Sequence, residues 1–247
     1  VNVELFERIA QADTVHAAWR VMLDALERHG FDRALYVSTR FRSERSIGDL
    51  QDALLLAEHE PDYVHAMFER RLLLHTPMVQ RLEPGGRLWR EDEAPAGGIA
   101  SLVGQTRQRL GLVAGCDLVL REPSRRSWGA VELCARPGLS PEDVAGIWSR
   151  RGQEIELMCN LAHLKISHLP SWAGRRPLTD KQRRVLHWAS EGKTAQETAI
   201  ILGLSAATVE KHLRLARETL DVQTTAQAIA KAARWNQLFI EDDLDAA

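Results

Sequence analysis

Three side chains at helical spacing, Glu210, Lys211 and Arg214, carry the chemistry that reads a nucleic-acid duplex. A carboxylate accepts from a cytosine amino group, and the two cations donate to base edges or phosphates. Immediately before them, Ala206, Ala207 and Thr208 give the start of the same segment a low profile, suited to entering a major groove. Lys193 and Thr194 open the preceding segment, where a helix N-terminus would favour a phosphate. Other chemistry is poorly served. The nine histidines show no i, i+4 pair of the kind that holds zinc on a helix. No GxSxG, P-loop or dinucleotide fingerprint occurs, so an enzyme is not expected. The three cysteines, Cys116, Cys134 and Cys159, lack CxxC spacing and read as reduced core residues rather than as disulfides or metal ligands. No metal or cofactor is expected.

The elements that position the reading residues are legible from their caps. Thr179-x-x-Gln182, Thr194-x-x-Glu197 and Thr224-x-x-Gln227 each fit a capping box, and Ser205 can cap a further helix. Helices are predicted over 179–191, 194–202, 205–220 and 224–235. Only Gly203-Leu204 joins the second to the third, the tight turn of a helix-turn-helix. Val209, Leu213, Ala216 and Leu220 form the inward stripe of the third, leaving Glu210, Lys211 and Arg214 outward. A four-helix protein-interaction module with a solvated charged face satisfies the same spacing, for instance as an antagonist of another regulator. Charge favours DNA: residues 172–240 hold 11 Lys+Arg against 6 Asp+Glu, whereas the whole chain has a net charge of −2.

The first two thirds alternate between periodicities. Helices are predicted over 3–12, 14–29, 61–74, 97–110 and from Ser140 to about 164, the last opened by Ser-Pro-Glu-Asp. Strands are predicted over 34–39, 116–120 and 128–135, the last two as an antiparallel hairpin. The expected fold class is α+β. It comprises an N-terminal α/β/α sandwich with an antiparallel sheet (1–167), a Pro/Gly-rich linker (168–176), an all-α four-helix domain (177–240) and an acidic tail (241–247). The 247 residues contain no apolar run near the ~20 needed to span a bilayer. The first dozen show no secretory pattern. A cytoplasmic protein with no membrane partner is expected.

Residues 178–238 resemble the LuxR-type (GerE-like) helix-turn-helix. The resemblance rests on Leu178-Thr179, Val185-Leu186, Trp188-Ala189, Gly192-Lys193-Thr194, Glu197, Ala199, Leu202, Ser205, Thr208-Val209, His212, Ala216, Leu220, Val222 and Gln227-Ala228. It implies that the helix from Ser205 is the recognition helix of a transcription regulator. Two departures, Gln182 for an acid and Thr225 for an Arg, would weaken an intermodule salt bridge without removing DNA binding. Residues 14–165 resemble the autoinducer-binding domain through Gly30-Phe31, Thr76-Pro77, Trp89, Gly111-Leu112, Gly115 and Trp128-Gly129. This implies a quorum-sensing regulator with a small-molecule pocket. By the resemblance, Tyr63, Met67, Thr76, Trp89 and Glu132 occupy the ligand positions. Thr76 replaces the Asp that accepts the ligand amide in that family, Tyr63 replaces a Trp and Met67 a Tyr.

Three readings stay open for this pocket: a non-standard ligand, loss of ligand dependence, or an ordinary acyl-homoserine lactone. Buried Glu132 would need a ligand donor, water, or an internal Arg such as Arg107 or Arg109. A receiver domain is not expected, because no strand-helix repeat opens the chain. A homodimer on double-stranded DNA with an inverted-repeat operator is expected, since one module reads only a few base pairs. The helix from Ser140, with its stripe Val144, Ile147, Trp148, Ile155, Met158 and Leu161, and the last helix are the candidate dimer elements.

Overall fold

A computed structural model describes residues 3–43, 46–48, 50–69, 71–80, 83–93, 97–122, 124–171 and 176–238. The chain divides into two compact units, Val1–Ser167 and His168–Ala247.

The first unit is built on five antiparallel strands: β1 (Phe31–Thr39), β2 (Leu54–Glu58), β3 (Gly85–Arg90), β4 (Ala114–Val119) and β5 (Trp128–Ala135), in the order β2-β1-β5-β4-β3. Around them lie α1 (Val3–Gln11), α2 (Val15–Arg28), α3 (Pro61–Phe68), α4 (Pro77–Gln80), α5 (Gly98–Arg109) and α6 (Pro141–His168). Side chains alternate across a strand, and here each set has its own helices. Leu35, Val37, Val119, Ala130 and Cys134 share one core with Tyr63 and Met67 of α3, Met78 of α4 and Val103 of α5. On the opposite face, Tyr36 meets Trp19 of α2 and donates or accepts at 2.7 Å to Nδ1 of His163 on α6. His163 Nε2 lies 3.0 Å from Glu122. The sheet is therefore covered on both sides, an α/β/α sandwich.

Strands β2 and β3 are absent from the sequence-based expectation. Both are edges; β2 is only half covered and β3 opens on two glycines, so neither shows clean apolar alternation. The helix expected over 61–74 is also corrected. It ends at Phe68, Arg71 takes a left-handed conformation (φ 56°), and a 3₁₀ turn follows over Leu72–His75. The reversal turns Leu72 and Leu73 into the core. Helix α6 runs one turn past the expected end, and Val144, Ile155 and Met158 of its stripe are buried within this unit.

Glycine is required where β4 meets its neighbours. A Cβ on Gly115 would lie 2.1 Å from the Leu133 carbonyl oxygen and 2.4 Å from the Trp89 ring. A backbone oxygen in the ladder cannot swing aside, so Gly115→Ala is expected to cost about 3 kcal/mol. Urea unfolding followed by tryptophan fluorescence measures this; a loss below half that value would mean the ladder relaxes.

The second unit holds α7 (Asp180–Ser190), α8 (Ala195–Leu202), α9 (Ala206–Leu220) and α10 (Thr225–Arg234). All three capping boxes form, at Thr179/Gln182, Thr194/Glu197 and Thr224/Gln227. Ser205 caps α9 through the Thr208 N–H at 3.1 Å. Gly203, at φ 64°, closes α8 in the left-handed region and starts the two-residue turn to α9. The first part of the expected linker is docked rather than free. Ser171 N–H donates to the Trp235 carbonyl at 2.9 Å, and Gln237 Nε2 donates to the Ser171 carbonyl at 2.6 Å. Residues 172–175 of that linker and the acidic tail 241–247 lie outside the described residues.

Candidate functional site

In the helical unit, Val209, Leu213, Ala216 and Leu220 of α9 are buried, so the helix phase is fixed by four contacts on one side. Ala207, Glu210, Lys211 and Arg214 are all exposed, at the spacing of one helical face. Arg214 pairs with Glu218 one turn on, an exposed pair that DNA can exchange at little cost. Ala206 and Thr208 are half-buried, and the Thr208 hydroxyl lies 2.8 Å from Ser205 Oγ, so Thr208 serves the cap. Lys193 is exposed beside the start of α8. Thr194 is more committed than its sequence position suggests. Its hydroxyl and its N–H both donate to Glu197 at 2.8 Å, and its hydroxyl accepts from the Glu197 N–H at 3.2 Å. The anion at the α8 N-terminus is thus Glu197 itself, and that hydrogen bonding to Thr194 holds its carboxyl below the usual range. The two departures noted above are bridged by other bonds: Gln182 Nε2 donates to Thr219 at 3.3 Å, and Arg217 donates to Thr225 at 3.0 Å. Next to the reading face, burial and then the nearby Lys181 and Lys211 lower the pKa of His212.

In the sheet unit, Tyr63, Met67, Thr76, Trp89 and Glu132 are all buried. Helix α3 and strand β5 bring two of them into direct contact: the Tyr63 hydroxyl donates to both Glu132 oxygens, at 2.7 and 2.9 Å. Arg107, on the inward face of α5, completes the cluster, with Nε at 3.1 Å and Nη2 at 2.5 Å from Glu132 Oε1. Its guanidinium lies 3.8 Å from the centroid of the Trp89 ring. Asp117, the cross-strand neighbour of Glu132, stands 3.6 Å from Arg107 Nη2. His59 stacks on Tyr63 with centroids 4.0 Å apart. Burial, reinforced by Glu132, pushes the Tyr63 phenol well up, so it remains a donor. Burial works against the charge on Arg107, but Glu132 and Tyr63 overcome it and keep the guanidinium protonated. Thr76 donates its hydroxyl to the Leu73 carbonyl at 2.7 Å. Met67 supplies apolar packing alone in this core.

Of the two arginines that might answer Glu132, the structure uses Arg107; Arg109 is exposed. Asp117 and His59 were missed as members. A signal existed for Asp117, because an acid in each strand of the predicted hairpin, Cys116-Asp117-Leu118 and Val131-Glu132-Leu133, falls at paired positions. Cys116, Cys134 and Cys159 are free and buried. Among the described residues there is no His/Cys/Asp/Glu cluster able to hold a metal, and no helix long and apolar enough to cross a membrane.

Residues 14–166 match the autoinducer binding domain family, and residues 176–232 match the luxR family of bacterial regulatory proteins. This chain belongs to the autoinducer-binding LuxR family. A LuxR-family relative in Rhodopseudomonas palustris, the HTH-type quorum sensing-dependent transcriptional regulator RpaR, is 36% identical over 98 residues, 39% of this chain and 37% of that protein. The transcriptional activator protein ExpR of Dickeya dadantii is 27% identical over 135 residues, 51% of this chain and 53% of that protein. The matches therefore span about a third to a half of these relatives. Among solved structures, Escherichia coli SdiA superposes with a TM-score of 0.54 over 96% of this chain and 97% of that one, at 17% identity. The LuxR-family factor CepR2 of Burkholderia cenocepacia gives 0.53 over 66% and 91%, also at 17% identity. At such identity these two likenesses establish the shared LuxR-type fold.

Proposed function

We propose that this chain is a cytoplasmic, dimeric transcription regulator that binds an inverted-repeat operator. Its sensor unit lacks the amide-accepting carboxylate of a conventional acyl-homoserine-lactone receptor. The observation that carries the DNA reading is the single exposed face of α9, with Ala207, Glu210, Lys211 and Arg214 in line above a fully buried opposite stripe. Lys193 adds a phosphate contact from the start of α8, while Thr194 contributes chiefly by capping. The transcriptional roles named for RpaR and ExpR support the same reading. A protein-interaction module acting alone has no comparable support.

Dimer contacts are assigned to what the fold leaves uncovered. On α6 these are Leu157 and Leu164, one heptad apart and 46% and 50% exposed, rather than the stripe that packs inward. On α10 they are Ala226, Ala230 and Ala233, whose small exposed side chains permit close helix approach. The departure in the sensor rests on Thr76. Where the family places a carboxylate, this residue offers a neutral hydroxyl already bonded to Leu73. CepR2 is described as dependent on N-acylhomoserine lactone; the expected behaviour here differs.

Fluorescence anisotropy with duplex DNA at several salt concentrations tests the proposal. Binding is expected to weaken steeply with salt as phosphate contacts release counterions, with two protomers bound per inverted repeat by light scattering. Salt-independent retention, or a monomer on DNA, would refute it.

A further inference from the structure

One end of the sensor sheet gathers arginines. Strand β1 ends at Thr39, which lies opposite Trp128, where β5 begins. The segment after β1 and the turn between β4 and β5 therefore emerge side by side, and the Arg42 N–H donates to the Arg126 carbonyl at 2.9 Å. Residues 40–49 and 121–127 together hold six arginines against three acids, whereas residues 1–171 as a whole hold 21 Lys+Arg against 24 Asp+Glu. Arg121, Arg125 and Arg126 are exposed, and none has a carboxylate partner among the described residues. Elsewhere in the unit exposed arginines are answered, as Arg20 is by Glu58 and Arg90 by Asp92 and Glu142. The acid of the turn, Glu122, is drawn inward: it is 12% exposed and lies 3.0 Å from Nε2 of buried His163. The turn is also held in shape. Ser124 accepts from the Arg126 N–H through its hydroxyl and from the Ser127 N–H through its carbonyl, both at 3.1 Å, and Asn160 of α6 accepts from the Arg121 N–H at 2.8 Å.

We propose that this end of the sensor sheet is a second, sequence-independent site for the phosphate backbone of duplex DNA, carried by Arg121, Arg125 and Arg126. Guanidinium forks match phosphate oxygens in charge and geometry. The cations stand exposed on a turn instead of lining a cleft, the shape that lies along a backbone; sites for small molecules are concave. The scale also fits. The ends of β1 and β4 flank β5, so the patch is about 10 Å across, and a duplex carries a charge every ~1.7 Å of its axis. Several phosphates are thus met at once. The inference rests on the DNA-binding reading above and adds a second surface to it.

The test uses the full chain and a mixed-sequence duplex of about 40 base pairs, followed by anisotropy over a range of salt. Arg121→Ala, Arg125→Ala and Arg126→Ala combined are expected to weaken binding about tenfold and to make the slope of log K against log salt shallower by about 2–3, at ~0.9 per phosphate released. The corresponding triple Lys variant is expected to keep most of the affinity, because a backbone is read as charge. Arg28→Ala, Arg109→Ala and Arg150→Ala combined remove the same charge from exposed positions elsewhere in the unit and are expected to stay within about twofold of the parent. Equal losses in the two alanine triples overturn the inference, since net charge alone would then explain them. One-to-one binding of ATP that the first triple abolishes, with its DNA slope unchanged, also overturns it, in favour of a nucleotide site. The Lys211→Glu, Arg214→Glu variant separates this inference from the regulator reading. Residual duplex binding that survives in that variant and vanishes when the alanine triple is added supports the second site. Complete loss in that variant, with the alanine triple matching the parent, refutes this inference alone. A parent that binds no duplex refutes the regulator reading and this inference with it.

Discussion

Arg107→Met is expected to lower the unfolding free energy of the sensor unit by about 3–5 kcal/mol, and adding Glu132→Leu to restore most of it. The asymmetry follows from burial. Glu132 is 1% exposed, and its charge is answered by the Arg107 fork and the Tyr63 hydroxyl. Without Arg107 the carboxylate keeps one phenolic partner and stands beside Asp117 in a region that excludes water. The double variant removes both the guanidinium and the carboxylate, and the Met side chain retains apolar cover over Trp89. Urea denaturation of the parent, the two single variants and the double variant makes a complete cycle. A double variant as weak as Arg107→Met alone would show that the arginine acts through packing on Trp89, and that the ion pair is incidental.

Lys211→Glu combined with Arg214→Glu is expected to weaken operator binding by about 10²–10⁴-fold while leaving the melting temperature of the helical unit within a degree or so. Each residue is worth roughly 1–3 kcal/mol if it reaches a base edge, and reversal adds repulsion from phosphate. Stability should hold because both side chains are exposed and Arg214 pairs with the surface carboxylate of Glu218. Calorimetric melting and anisotropy on the same samples separate the two effects. Near-parental affinity would remove α9 as the reading element.

The contrast between these two sites shows what a sequence can disclose. In the helical unit, the decisive information is local. Each Thr of a capping box lies three residues from its Gln or Glu, and the turn is a Gly-Leu pair, so boundaries and helix phase could be read within one turn of chain. In the sheet unit the decisive contacts join distant segments. Tyr63, Arg107 and Glu132 meet only once three elements are packed. The choice of Arg107 over Arg109 was partly legible, since Val103 and Arg107 share a face one turn apart and Arg109 does not. The left-handed Arg71 was not legible, because nothing in its side chain favours that conformation. Edge strands β2 and β3 were hidden for a similar reason: their pairing partners, not their own patterns, make them strands.

The bonds that fasten the helical unit without a carboxylate partner have a practical bearing on electrolyte experiments. The Gln182–Thr219 contact involves no charged group, and Arg217 meets a hydroxyl at Thr225 instead of a carboxylate. Mobile ions shield opposite charges from each other but leave such dipolar contacts almost untouched. Raising sodium chloride should therefore strip the protein from its operator with little loosening of the scaffold, so that the slope of binding constant against ionic strength reports chiefly on phosphate contacts.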